Sequence, residues 1–143
     1  MELLVATAIL VTIAAVGIAV FNRLIEQTAL DSSVQQVLSI FEEARSRTLA
    51  SENDQQFGVH LATSSVTLFV GSTYNASAST NEVTTLVRRV SISDISMTGG
   101  ATEVVFARLT GKASVTGTIT LTLISDTSQT HTLIINSTGL VER

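Results

Sequence analysis

The side chains in this chain that could do chemistry are few: two histidines, an adjacent pair of glutamates, an adjacent pair of arginines, and one glutamate heading an apolar run. His60 and His131 are the only histidines and cysteine is absent. Zinc sites gather three or four N, S or O ligands, commonly at short spacings, and these two histidines lie far apart, each in a strand-like run. Both read as structural or exposed residues, so no metal site and no cofactor is expected. Glu42-Glu43 supplies two carboxylates, as a glycoside hydrolase would need. Adjacent residues on a helix point in different directions, however, and a solvated or intersubunit helix face is the better reading. Arg88-Arg89, placed in a strand, sends one guanidinium to each face, and the inward one then needs Asp94 or Glu103 as partner. Asn75-Ala-Ser77 and Asn136-Ser-Thr138 match the glycosylation acceptor pattern, with Asn136 read as a turn residue. Serine-nucleophile motifs, Gly-rich phosphate loops and Cys/His clusters are missing from the sequence. The chain is not expected to be an enzyme.

Glu2 is the exception to this quiet inventory. It stands at the lip of an uncharged apolar run, residues 3–21, about 28 Å long as a helix. A bilayer core is about 30 Å thick, so the run just spans one. A carboxylate there is costly because lipid offers no water to solvate it, and a secretory signal would carry positive charge instead. Glu2 therefore calls for a partner outside the single chain. That points to assembly.

The elements around these residues follow from composition and period. The 143 residues suffice for one globular domain plus an appendage, and 45% are hydrophobic. Mean hydropathy is +0.43, an excess concentrated in the first two dozen residues. Net charge is −4, with Lys112 the single lysine, so a general nucleic-acid-binding footprint is lacking. Proline is absent too, which removes the strongest helix breaker. Beyond Asn22, Leu30, Val34, Val37, Leu38, Phe41, Ala44 and Thr48 recur at spacings of three and four, one apolar stripe on a continuing helix. The reading is one helix over residues 1–52, on the order of 75 Å long. Gly17 is its weak point or a place of close packing.

From Asn53 the period changes to two. Ile119, Leu121 and Leu123 alternate with Thr118, Thr120 and Thr122, a half-buried strand. Similar runs cover 57–61, 66–70, 83–95, 103–109 and 131–135, and 71–82 reads as a polar loop. The expected fold class is α+β: a long N-terminal helix packed on an antiparallel β domain, residues 53–143.

This order of parts, with Glu2-Leu-Leu-Val-Ala-Thr-Ala-Ile-Leu10, resembles the type IV pilin and pseudopilin superfamily. The stretch from Phe41 through Ala44-Arg45 to Ala50, the strand from Phe57 to Leu61, and the closing Ile134 to Val141 are similar to the minor pseudopilin H and FimT-like subgroup. The resemblance implies a pilin fold and a filament of identical subunits with the apolar helices at its centre. It also implies processing by a prepilin peptidase, storage in the bacterial inner membrane, a pilus or secretion assembly machinery as partner, and a surface filament as destination. Family members carry a few residues ahead of the glutamate, whereas only Met1 precedes Glu2 here. The implied role of Glu2 is to pair with a neighbouring subunit's amine. With it, Leu3, Leu4, Val5, Gly17 and Phe21 are the expected assembly residues, and Arg23, Glu26, Arg45 and Arg47 the expected ion-pairing residues, within or between chains. A major subunit is the first expectation. The alternatives are a minor pseudopilin of a type II secretion system and a membrane-anchored ligand-binding β domain that never polymerises, which would bind through the 71–82 loop, where the sequence shows no aromatic cluster beyond Tyr74.

Overall fold

Helix formers with no proline to interrupt them make one continuous helix, α1 (Glu2–Leu49). The computed structural model describes residues 2–143, with the side chains of 2, 4 and 14–22 outside that description. The fold is α+β, a helix followed by antiparallel sheets. The helix stops three residues short of the expected 52. Ser51 and Asn53 turn left-handed, at φ 48° and 50°, a region that L-residues enter only at a cost. Thr48 secures this end: its hydroxyl donates to the Ala44 carbonyl at 2.7 Å and accepts the Phe57 N–H at 3.0 Å. A buried side chain thus hands the chain from helix to sheet.

Eight strands follow: β1 (Phe57–Ala62), β2 (Ser65–Val70), β3 (Glu82–Thr85), β4 (Val90–Met97), β5 (Glu103–Val105), β6 (Gly117–Leu123), β7 (Thr130–Ile135) and β8 (Val141–Glu142). They form two four-stranded antiparallel sheets, ordered β3-β2-β1-β5 and β4-β6-β7-β8. The single run expected over 83–95 is two strands, one in each sheet. Leu86 is buried, and the chain then turns through Arg88 and Arg89, closed by the Val90 N–H on the Val87 carbonyl at 2.8 Å. Both arginines are exposed on that turn, so the inward arginine seeking Asp94 or Glu103 does not exist. Alternation continued through the turn and hid it. The run expected over 103–109 is a strand only to Val105; Phe106 bridges Ala113, and the chain then turns, closed by the Gly111 N–H on the Ala107 carbonyl at 2.8 Å with Leu109 at φ 64°.

One core joins helix and sheets. Leu30, Val34, Val37, Phe41 and Ala44 from α1 meet Val59, Leu61 and Leu68 of the first sheet and Ile119, Leu121 and Leu133 of the second. Full burial of each large aliphatic side chain contributes about 1.5–3 kcal/mol relative to exposure. Phe41 and Phe106 meet edge to face at 6.4 Å. Ile119, Leu121 and Leu123 point inward as their spacing requires, and Thr122 is buried beside them. Its hydroxyl is satisfied by Ser93 at 2.7 Å, where β4 bulges between Ile92 and Asp94.

Candidate functional site

The helix has two unlike halves. From Leu30 onward one stripe is buried in the core. Ahead of it, every described side chain from Leu3 to Ile13 is exposed, with Leu3 at 79% and Ile13 at 68%. Successive helical residues step by 100°, so exposure at consecutive positions means that no face of this segment rests on the rest of the chain. Leu3, Val5, Ile9, Leu10, Val11 and Ile13 are apolar and uncovered. A helix that is hydrophobic all round belongs in lipid or inside a bundle, and an apolar patch of this extent marks an interaction surface. Among the described residues no helix is long and apolar enough to cross a membrane. Of the expected assembly residues, Leu3 and Val5 are on this exposed surface. Glu2, Leu4, Gly17 and Phe21 lie outside the described side chains.

The expected ion-pairing residues divide into different environments. Arg47 is a hub: its guanidinium meets Glu43 at 2.5 Å and Glu82 at 2.6 Å, with Glu52 at 4.0 Å. Its carbon also lies 5.8 Å from the centroid of the Phe57 ring. The Glu82 hydrogen bond is the main reason its pKa is raised, and burial opposes it. Helix and β3 are thereby tied. Arg45 goes elsewhere, its Nε donating to the Gly111 carbonyl at 3.3 Å. Arg23 and Glu26 line a cleft of about 170 Å³ with Asp126, where the helix leaves the β domain. Ser128 donates to Asp126 through hydroxyl and N–H, holding its carboxyl below the usual range.

Two clusters that the spacing did not reveal complete the picture. Asp31 on α1 meets Arg143 at 3.0 Å and His131 of β7 at 3.2 Å, with Arg143 also 2.7 Å from His131 Nε2. This triad fastens the chain after β8 to the helix. His60 stacks on Tyr74, ring centroids 3.9 Å apart, and Tyr74 meets the edge of Phe69 at 5.6 Å. The Tyr74 N–H donates to Glu103 at 3.0 Å. Burial lowers the His60 pKa, with Glu103 acting in the opposite sense. Its Nδ1 is buried without a hydrogen-bond partner. Tyr74, which the sequence placed in the polar loop 71–82, is thus folded back onto the sheet. Only tertiary structure brings the members of either cluster together, so no local motif could have signalled them.

A cavity of about 410 Å³ lies beside β5 and is lined by Gln56, Glu103, Phe106, Lys112 and Ser114 among others. Its polar groups are engaged in the fold: the Ser114 hydroxyl accepts the Val105 N–H at 3.0 Å and Glu103 accepts the Tyr74 N–H. Among the described residues no group of three or more His, Cys, Asp or Glu could hold a metal ion. Comparison with protein-family models, curated proteins and solved structures finds no match to this chain.

Proposed function

We propose that this chain is a structural subunit that polymerises into a type IV pilus or pilus-like helical filament, with the fold of a pilin and as a major component. The observation that carries the reading is the uncovered apolar side chains described between Leu3 and Ile13 of α1, on a helix continuous with a stretch embedded in the β domain. A helix of 48 residues is about 72 Å long, far more than one small domain can enclose. Copies stacked in parallel would cover one another's apolar halves and leave the β domains outside. Before assembly, lipid would cover the same surface.

Lipid and protein neighbours offer apolar side chains similar surroundings, so hydrophobicity alone does not favour the filament. Glu2 supplies the preference. A carboxylate and an ammonium about 4 Å apart attract far more strongly in a dry core than in water. Desolvation consumes much of that gain, and the larger effect is on register, because a misplaced copy leaves a charge unpaired. The family resemblance of the first ten residues points the same way.

Replacing Glu2 with alanine tests this in cells lacking the wild-type copy. Membrane insertion and β-domain folding persist, while the chain disappears from sheared surface filaments. Normal filaments from that variant would remove Glu2 from the assembly role. Sheared material with no copies of the wild-type chain would favour the anchored, non-polymerising reading, and a low copy number would indicate a minor subunit.

A further inference from the structure

The end of the β domain from which α1 emerges carries a rim of arginines and exposed apolar side chains. Three segments distant in sequence form it. Arg23 and Glu26 come from α1, Arg88 and Arg89 from the turn between β3 and β4, and Ile124 and Ser125 from the turn after β6. Glu26, Arg88, Arg89, Ile124 and Ser125 line one open cavity of about 300 Å³, and Arg23 and Glu26 share the adjoining cleft with Asp126. The Ile124 N–H donates to the Arg89 carbonyl at 2.9 Å, which ties the two turns together beside the Val90–Leu123 pair of β4 and β6. Leu24, Val87 and Ile124, on the same three segments, are exposed at 59%, 45% and 60%.

The chain as a whole carries a net charge of −4, yet three arginines at this rim stand against two carboxylates. Asp126 is already engaged by the Ser128 hydroxyl and N–H, and it shares its cleft with Arg23. Glu26 is half-buried, while Arg88 and Arg89 are exposed, and none of the three has an ion pair among the described residues. Adjacent like charges on a tight turn repel each other, and an anionic surface relieves that repulsion. The rim's position selects the anion. The uncharged apolar run ends at residue 21 and Arg23 follows two residues later, about 3 Å along a helix. With lipid around that run, the rim lies at headgroup level, where an arginine keeps its charge in the polar zone and its stem in apolar surroundings.

We propose that this rim docks the β domain onto an anionic phospholipid surface, with Arg88 and Arg89 on the headgroup phosphates and Leu24, Val87 and Ile124 at the acyl boundary. The proposal rests on the reading that lipid covers the apolar helix before assembly, and it adds the class of lipid. Basic residues just beyond a membrane segment are drawn to anionic headgroups within a Debye length of the surface. Leaving the bilayer for a filament breaks these contacts, so lipid composition bears on how readily stored chains assemble.

The test uses the full-length chain in phosphatidylcholine vesicles, with or without phosphatidylglycerol, each containing a lipid spin-labelled at its headgroup. The chain has no cysteine, so Ser125→Cys carries a single fluorophore at the rim. Thr138→Cys carries one at the far end, where Gly139 lies against Arg45; both positions are exposed. Quenching at position 125 is expected to be at least about twofold stronger in the anionic vesicles than in the neutral ones, and to fall to the neutral level at ~0.5 M salt. Position 138 shows no such difference. Arg88→Gln combined with Arg89→Gln removes the anionic increment, while the chain still floats with both kinds of vesicle and keeps its β-sheet circular dichroism. Quenching at position 125 that ignores lipid charge, or that the double substitution leaves unchanged, would overturn the docking rim alone. A chain that floats with neither kind of vesicle would remove the lipid reading and the rim with it.

Discussion

Gly58 marks the tightest point of the first sheet, and changing it to alanine makes a quantitative test of how the His60–Tyr74–Phe69 cluster is held. Gly58 lies in β1 opposite Phe69 of β2 and Val105 of β5. A Cβ added there would fall against the Phe69 ring, 2.8 Å from Cε1, and 2.9 Å from the Val104 carbonyl oxygen. Carbon pairs are most favourable near 3.5–4.0 Å, so something must move. The Val104 carbonyl belongs to the ladder and cannot. Phe69 is 1% exposed with Tyr74 against its edge, and the Tyr74 ring is stacked on His60. Overpacking of this kind costs about 1–3 kcal/mol. Replacing glycine within a strand returns about 0.5–1 kcal/mol, leaving a net loss of up to about 2.5 kcal/mol. Phe69→Leu alone costs about 1–2 kcal/mol through lost burial and the lost aromatic contact. In the double variant the shorter side chain vacates the space that the new methyl needs, so the two losses fall short of adding by about 1 kcal/mol. Urea unfolding of the full chain in mild detergent measures this. With one tyrosine and no tryptophan, intrinsic emission reports Tyr74 within the cluster itself. Additivity within about 0.3 kcal/mol, or a Gly58→Ala chain more stable than wild type, would refute the packing account.

Three further outcomes are expected. Because burial depresses the His60 pKa below 6.5, the unfolded chain binds more protons than the folded one once the pH falls below about 6.5. Stability should be full above that pH and decline below it, and His60→Gln should flatten the decline in urea midpoints measured from pH 7.5 to 5. Arg47→Met keeps an apolar stem near Phe57 but removes the pairs with Glu43, Glu82 and Glu52. It should cost about 1 kcal/mol at low ionic strength and much less at ~0.5 M salt, in paired denaturation curves. Leu109 is 80% exposed at φ 64°; Leu109→Asn, which tolerates that region better, should stabilise by about 0.5–1 kcal/mol in the same assay.

The parts of the fold that the sequence made legible are those governed by near neighbours. The stripe from Leu30 to Thr48 is helical because residues three and four apart share a face, and all its predicted members except the half-buried Leu38 are buried. Ile119, Leu121 and Leu123 are inward by the two-residue period of a strand, and they too are buried. The same local rule failed over 83–95. Alternation says that a segment is extended but not which sheet it joins, and the turn at Arg88 and Arg89 carries neither glycine nor proline to betray it. That error also misplaced the arginines, which the turn exposes.

What the sequence determined alone is a helix of unlike halves, a glutamate at its apolar lip, and a β domain after it, since period and hydropathy are properties of a single strand of chain. Tertiary structure decided the pairings: Arg47 with Glu82, Asp31 with His131 and Arg143, His60 with Tyr74. Each joins residues distant in sequence, and their approach depends on strand order and register, set by the whole core at once. It also decided which strand is left at an edge. That Glu82 meets Arg47 while Arg88 sits on a turn follows only from where β3 ends and which sheet it joins.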